Sequence, residues 1–133
     1  MSKNREVAAM LLEIAQLLEL IGENPHRINT YVKAARTFDG MTTAVEDIPN
    51  LQTLPGVGPS LSSKIEEFLA TGRCGYLDDL KAKVPSGLLE MLQLPDLGPA
   101  RVQQIYKALN ITTVAELEQA CRDNRIAMLP RMG

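Results

Sequence analysis

Residues 54–65 read LPGVGPSLSSKI: two glycines around one valine, a proline, and then a helical pattern carrying a lysine one turn inside. Gly56 and Gly58 allow a sharp turn and leave the N–H groups of Gly56, Val57 and Gly58 uncovered by bulky side chains. The helix opened by Pro59 adds the free N–H groups of its first turn, that of Ser60 among them. Donors converging this way, with the positive end of a helix dipole behind them, attract an anion, and a nucleic-acid phosphate suits them. The contact would be to the nucleic-acid backbone and blind to its sequence. The plain alternative is a tight turn between packed helices. A second anion site offers itself at His26 and Arg27, which follow Pro25 at another helix start and add a guanidinium fork to the dipole; the alternative there is two solvated side chains. Lys64 lies beside the apolar face formed by Leu61, Ile65 and Phe68. Its amine attacks a carbonyl carbon only as the neutral base. From position alone it reads as a surface lysine whose stem covers the helix edge.

The motif returns forty residues later as LPDLGPARVQQI, residues 94–105. Leu, Pro, Gly, Pro and Ile recur at the same offsets, so Gly98, Ala100 and Arg101 occupy places like those of Gly58, Ser60 and Leu61. Asp96 replaces Gly56, and its carboxylate would repel a bound phosphate. This copy therefore reads equally well as a binding site or as scaffold. A partial third copy, LPRMG at 129–133, carries Arg131 at the same place.

These residues need helices to hold them. Val7, Leu11, Ile14, Leu18 and Ile21 alternate steps of four and three, an amphipathic helix over 4–21 ended by Gly22. Asn24 can cap the next helix, with Pro25 at its first position and Ile28, Tyr31, Val32, Ala35 and Phe38 on one face, as far as Gly40. A helical turn is expected at 43–47, a helix from Pro59 to Thr71, short helices either side of Pro85, and another from Pro99 to Leu109. Thr113 with Glu116 forms a capping box for a helix over 113–123. No stretch alternates with period two long enough for a strand. The expected fold is all-α, a helical bundle with tandem helix-hairpin-helix motifs.

Composition agrees. The chain has 133 residues, 45% of them hydrophobic, with no Trp, two Phe and three Tyr; a core of Leu, Ile, Val, Met and Ala favours helices. No apolar run reaches the length of a membrane span, and no signal peptide opens the chain, so a cytoplasmic protein is expected. Cys74 and Cys121 form no motif and are expected to stay thiols. A net charge of −2 excludes a protein that coats nucleic acid indiscriminately, but not one with a local site.

GENPHRINTYVKAAR, LPGVGPSLSSKIEEFLATG and LPDLGPARVQQIY, in this order, resemble the N-terminal region of family X DNA polymerases over essentially the whole chain. The GENP opening and VPSGLLEML are similar to the bacterial branch, and LPGVG with KIEEFLATG to the beta-type repair enzyme. The resemblance implies a lyase-type domain with a first helix-hairpin-helix at 1–75, and a second hairpin with the start of a third at 76–133. It implies a monomer that binds gapped or nicked DNA by the 5′-phosphate in base excision repair. It makes Lys64 the nucleophile that removes a 5′-deoxyribose phosphate through a Schiff base, His26 and Arg27 the 5′-phosphate contacts, and Tyr31 a neighbour of that pocket. This lyase chemistry requires no cofactor. The backbone carbonyls of Gln52, Leu54 and Val57 in the first hairpin, and of Leu92, Leu94 and Leu97 in the second, match those that hold a monovalent cation, K⁺ or Na⁺.

The chain departs from the family at several places. Pro59 and Ser60 stand where a lysine is common, Ser63 replaces a small or acidic residue, Tyr76 stands where the beta-type enzyme has a lysine, and Asn29 and Val32 lower the basic count of the second helix. Each lost charge weakens phosphate attraction, which predicts weak binding, or lyase chemistry that is slow or absent. No stretch after residue 109 supplies paired carboxylates for nucleotidyl transfer, and a single His excludes a histidine-rich phosphoesterase domain. The break in mid-motif at Gly133 leads us to expect a piece of a longer polymerase. A non-catalytic helix-hairpin-helix scaffold that docks a protein partner is the alternative.

Overall fold

Seventeen residues without Gly or Pro form α1 (Asn4–Leu20). Val7, Leu11, Ile14 and Leu18 are buried as their spacing predicts, but so are Met10, Ala15, Leu17 and Leu20. The apolar surface exceeds one stripe because α1 packs chiefly against α2 (Pro25–Asp39), α4 (Gly75–Lys83) and α6 (Pro99–Leu109). A helix apolar over most of its circumference must be surrounded. Ile21, expected on the buried stripe, is 41% exposed, because the helix ends at Leu20 and Ile21 falls past its last full turn. This computed structural model describes residues 3–95 and 97–127; Asp96 and the LPRMG copy with Arg131 lie outside the described residues.

The Asn24 side chain caps α2 as expected, its Oδ1 accepting from the His26 N–H at 2.8 Å. The helix buries Tyr31, Ala34, Ala35 and Phe38 against α1. The loop that follows is clamped by a buried polar side chain. Asn4 Nδ2 donates to the carbonyls of Met41 and Thr43, and Asn4 Oδ1 accepts from the Val45 N–H at 2.7 Å. A 3₁₀ turn at Val45–Asp47 fills the expected place. A second, at Leu51–Thr53, is capped by Asn50.

The remaining helices are α3 (Pro59–Thr71), α5 (Ser86–Met91) and α7 (Val114–Arg122). α3 and α6 coincide with their expected spans. Each ends on a left-handed residue, Gly72 at φ 77° and Asn110 at φ 53°, the usual way to close the last carbonyls. The capping box of α7 differs in one detail. Thr113 Oγ1 accepts from the Glu116 N–H, but Glu116 reaches back to the N–H of Thr112, one residue before the cap. The fold is all-α; among the described residues there is no strand, and no helix is long and apolar enough to cross a membrane.

The sequence repeat is a structural repeat. In the first copy Thr53, Leu54, Val57 and Ser62 donate their N–H groups to the carbonyls of Asn50, Leu51, Leu54 and Gly58; forty residues on, Gln93, Leu94, Leu97 and Val102 donate to Glu90, Met91, Leu94 and Gly98. Each hairpin opens a helix, α3 or α6, and each of these is followed by a nine-residue helix, α4 or α7.

Candidate nucleic-acid interface

The first hairpin turns at Gly56, whose φ of +79° suits glycine. Gly58, expected to share that role, has an ordinary φ of −95°; a β-carbon there would meet nothing within 4 Å, so the fold itself does not require this glycine. What it leaves is open space directly over the start of α3. No side chain caps α3, and Pro59 has no N–H, so the N–H groups of Gly58, Ser60 and Leu61 have no partner among the described residues. The donor expected at Val57 is withdrawn. Its N–H closes the turn on the Leu54 carbonyl at 3.2 Å, and its side chain is buried as the hairpin's anchor.

Beside this hairpin three singled-out residues gather at one ring, two on it and one through its neighbour. Arg27 comes from α2, Ser60 and Lys64 from α3, and the ring is Tyr76 on the first turn of α4. Arg27 Nη2 donates to the Tyr76 hydroxyl at 2.8 Å, with its guanidinium carbon 5.7 Å from the ring centre. Lys64 Nζ lies 4.6 Å from the same centre and donates to Ser60 Oγ at 2.6 Å. Tyr31, buried behind, stacks on Tyr76 at 6.3 Å between centroids and 9° between planes. Burial pushes the Tyr31 phenol above its ordinary value, while the neighbouring Arg27 pulls it back. His26 is exposed one residue before Arg27.

Tyr76 is the residue of this cluster that sequence reasoning undervalued. It counted there as a lost charge, whereas in the fold it is the surface on which both cations rest. The ring face carries negative quadrupole potential and attracts a cation without formal charge. The available signal was its position just after Gly75 at a helix start, in a chain with three tyrosines.

The second hairpin lies in different company. Leu97, Gly98, Ala100 and Arg101 share a groove with Glu19 of α1, which sets a carboxylate near the start of α6. A β-carbon on Gly98 would also meet nothing within 4 Å. Of the carbonyls expected to hold a cation, those of Leu54 and Leu94 each accept one turn bond, from Val57 and Leu97; a carbonyl oxygen keeps a second lone pair. No group of His, Cys, Asp or Glu among the described residues could hold a metal ion. Cys74 is a buried free thiol and Cys121 an exposed one.

Two curated proteins show what the chain is similar to. It is 29% identical over 129 residues to the DNA polymerase/3′-5′ exonuclease PolX of Bacillus subtilis (strain 168), covering 97% of this chain and 23% of that protein. It is 23% identical over 105 residues to DNA polymerase lambda of Arabidopsis thaliana, covering 78% of this chain and 20% of that protein. The chain thus spans about a quarter or less of the length of these relatives. Among family models, a helix-hairpin-helix domain matches residues 2–74 and a SAM-like helix-hairpin-helix tandem matches residues 88–133. With these matches over both halves, and the same hairpin hydrogen bonds in each, the chain belongs to the helix-hairpin-helix domain family.

Proposed function

We propose that this chain binds DNA at gaps or nicks through backbone phosphates and removes a 5′-deoxyribose phosphate with Lys64. The observation that carries this reading is the convergence of Arg27, Ser60 and Lys64, from two helices, on the Tyr76 ring beside the open start of α3. The N–H groups of Gly58, Ser60 and Leu61 take a phosphate of the strand, and Arg27 with His26 takes the 5′-terminal phosphate. Lys64 then faces the sugar.

In the resting state Nζ donates to Ser60 and sits on the ring; to react it must leave these contacts with a free lone pair. The lone pair adds to C1′ of the open-chain sugar aldehyde, and loss of water gives an imine. Removal of a C2′ proton lets the C3′–O bond break, which frees the downstream strand with its own 5′-phosphate. Water hydrolyses the imine and returns the amine. No cofactor enters these steps. K⁺ or Na⁺ held by the carbonyls of Gln52, Leu54 and Val57, and of Leu92, Leu94 and Leu97, would supply positive charge opposite the DNA phosphates. The place of this reaction is base excision repair, carried out by a monomer in the cytoplasm.

A second reading, the non-catalytic scaffold, is favoured at the second hairpin by Glu19, which lines its groove, and by Asp96 in the sequence place of Gly56. One experiment separates them. The protein is incubated with one-nucleotide-gapped DNA carrying a 5′-deoxyribose phosphate, reduced with borohydride, and compared with Lys64→Ala. An adduct absent from the variant establishes the Schiff base. No adduct, with binding to a 5′-phosphorylated gap intact, leaves a DNA-holding module. Neither adduct nor binding leaves the scaffold.

A further inference from the structure

We propose that Tyr76 is a positioning residue: its hydroxyl holds Arg27 and its ring face holds Lys64, fixing the phosphate-binding group and the nucleophile on one plate before DNA arrives. The inference rests on the lyase reading of Lys64 and adds to it the device that sets the two cations relative to each other. Arg27 is exposed and Lys64 half-buried, and they come from different helices to one ring, 5.7 and 4.6 Å from its centre. Ser60 accepts from Lys64 but touches neither Arg27 nor the ring, so the shared partner of the two like charges is Tyr76.

A carboxylate in this place would bind both more strongly, but it would repel the incoming phosphate. A lysine would add a third charge and offer no surface. The tyrosine ring attracts both cations without a formal negative charge. Its own position is fixed from two sides. Tyr31 stacks behind it, and α4, which carries it, is anchored on α1 by buried Leu77 and Leu80 and tied to α3 by the Gly75 N–H on Glu67 at 3.1 Å. Nη2 keeps its bond to the hydroxyl while the other donors of the guanidinium fork turn to an arriving 5′-phosphate, whose charge makes that the stronger bond. Lys64 is held on the ring until the sugar next to that phosphate is in place, and leaves it to react.

The test uses Tyr76→Leu and Tyr76→Phe with two readouts: affinity for gapped DNA bearing a 5′-phosphate, and the rate of borohydride trapping on 5′-deoxyribose-phosphate DNA at saturation. Tyr76→Leu is expected to lower both, each by roughly tenfold. Tyr76→Phe, which keeps the ring and loses the hydroxyl, is expected to rescue most of the trapping rate but not the affinity. In the DNA-free protein the Lys64 ε-protons should show an upfield ring-current shift in NMR that persists in Tyr76→Phe and disappears in Tyr76→Leu. That measurement needs no activity, and thermal unfolding shows whether each variant is folded. If the wild type binds and is trapped while Tyr76→Leu does both equally well, the inference is overturned and the function stands. If both variants lose affinity, rate and thermal stability in parallel, the role is merely structural and the inference is overturned. If the wild type neither binds nor is trapped, the lyase reading fails, and with it the nucleophile that Tyr76 was to position.

Discussion

The two hairpins share a backbone and differ in their neighbours. Four turn hydrogen bonds recur with a constant offset of forty residues, and the residue before each helix proline has nearly the same dihedral angles: Gly58 at φ −95°, ψ −173°, and Gly98 at φ −88°, ψ 174°. The first is approached by Arg27 and an aromatic ring, with Lys64 on its own helix; the second by Glu19, with Arg101 of its own helix lining the same groove. Hairpin geometry supplies donors for an anion; side chains from other helices decide whether an anion is welcome. One repeat can therefore be a site and the other a support for it.

If the second unit is mainly a support, its largest sensitivity should be packing. A β-carbon on Gly87 in α5 would collide with the carbonyl oxygen of Thr112 and lie 2.9 Å from the Thr113 Cα. Since α5 packs on α7 and both partners are backbone, Gly87→Ala should cost about 3 kcal/mol or more, read by urea unfolding. Equal effects of Arg101→Ala and Arg27→Ala on DNA binding would break the contrast. Arg27→Ala should weaken binding to a 5′-phosphorylated gap roughly tenfold or more and flatten its salt dependence, while Arg101→Ala should change it about threefold at most. A reciprocal exchange sharpens the point. Gly56→Asp should lower DNA affinity about fivefold, because aspartate tolerates a positive φ but sets a carboxylate beside the phosphate; Asp96→Gly should raise it by less.

The smallest effects come from pH, and two groups, one in each unit, act with opposite signs. Tyr31, beneath the first site, has its phenol held above the ordinary 10.0 by burial, against Arg27. The folded state favours the neutral form, so this contribution is present below pH 10 and is lost as pH rises through the raised value. Glu116, at the start of α7, is held below its ordinary 4.5 by hydrogen bonds from the Thr112 N–H, then from the Thr112 and Thr113 hydroxyls. Its contribution is present above pH 4.5 and is lost as pH falls through the lowered value. Thermal midpoints should show the alkaline loss removed by Tyr31→Phe and the acid loss removed by Glu116→Gln.

The sequence by itself determined the seven α-helices of the described residues, though not the 3₁₀ turn at Leu51–Thr53. Glycine, proline and Asx punctuation is local chemistry: Asn24 caps α2, Pro59 and Pro99 open α3 and α6, and Gly72 closes α3, all readable without neighbours. The repeat was legible for the same reason, since identical residues at one offset form identical turns. Only the tertiary structure decided what surrounds each turn. It buried α1 on more than one face, left Ile21 outside, used the Val57 N–H within the hairpin, and brought Tyr76 under two cations from α2 and α3. Arg27 and Tyr76 are 49 residues apart, and no local pattern encodes which side chains meet across three packed helices. That meeting is set by how α2 and α4 pack on α1.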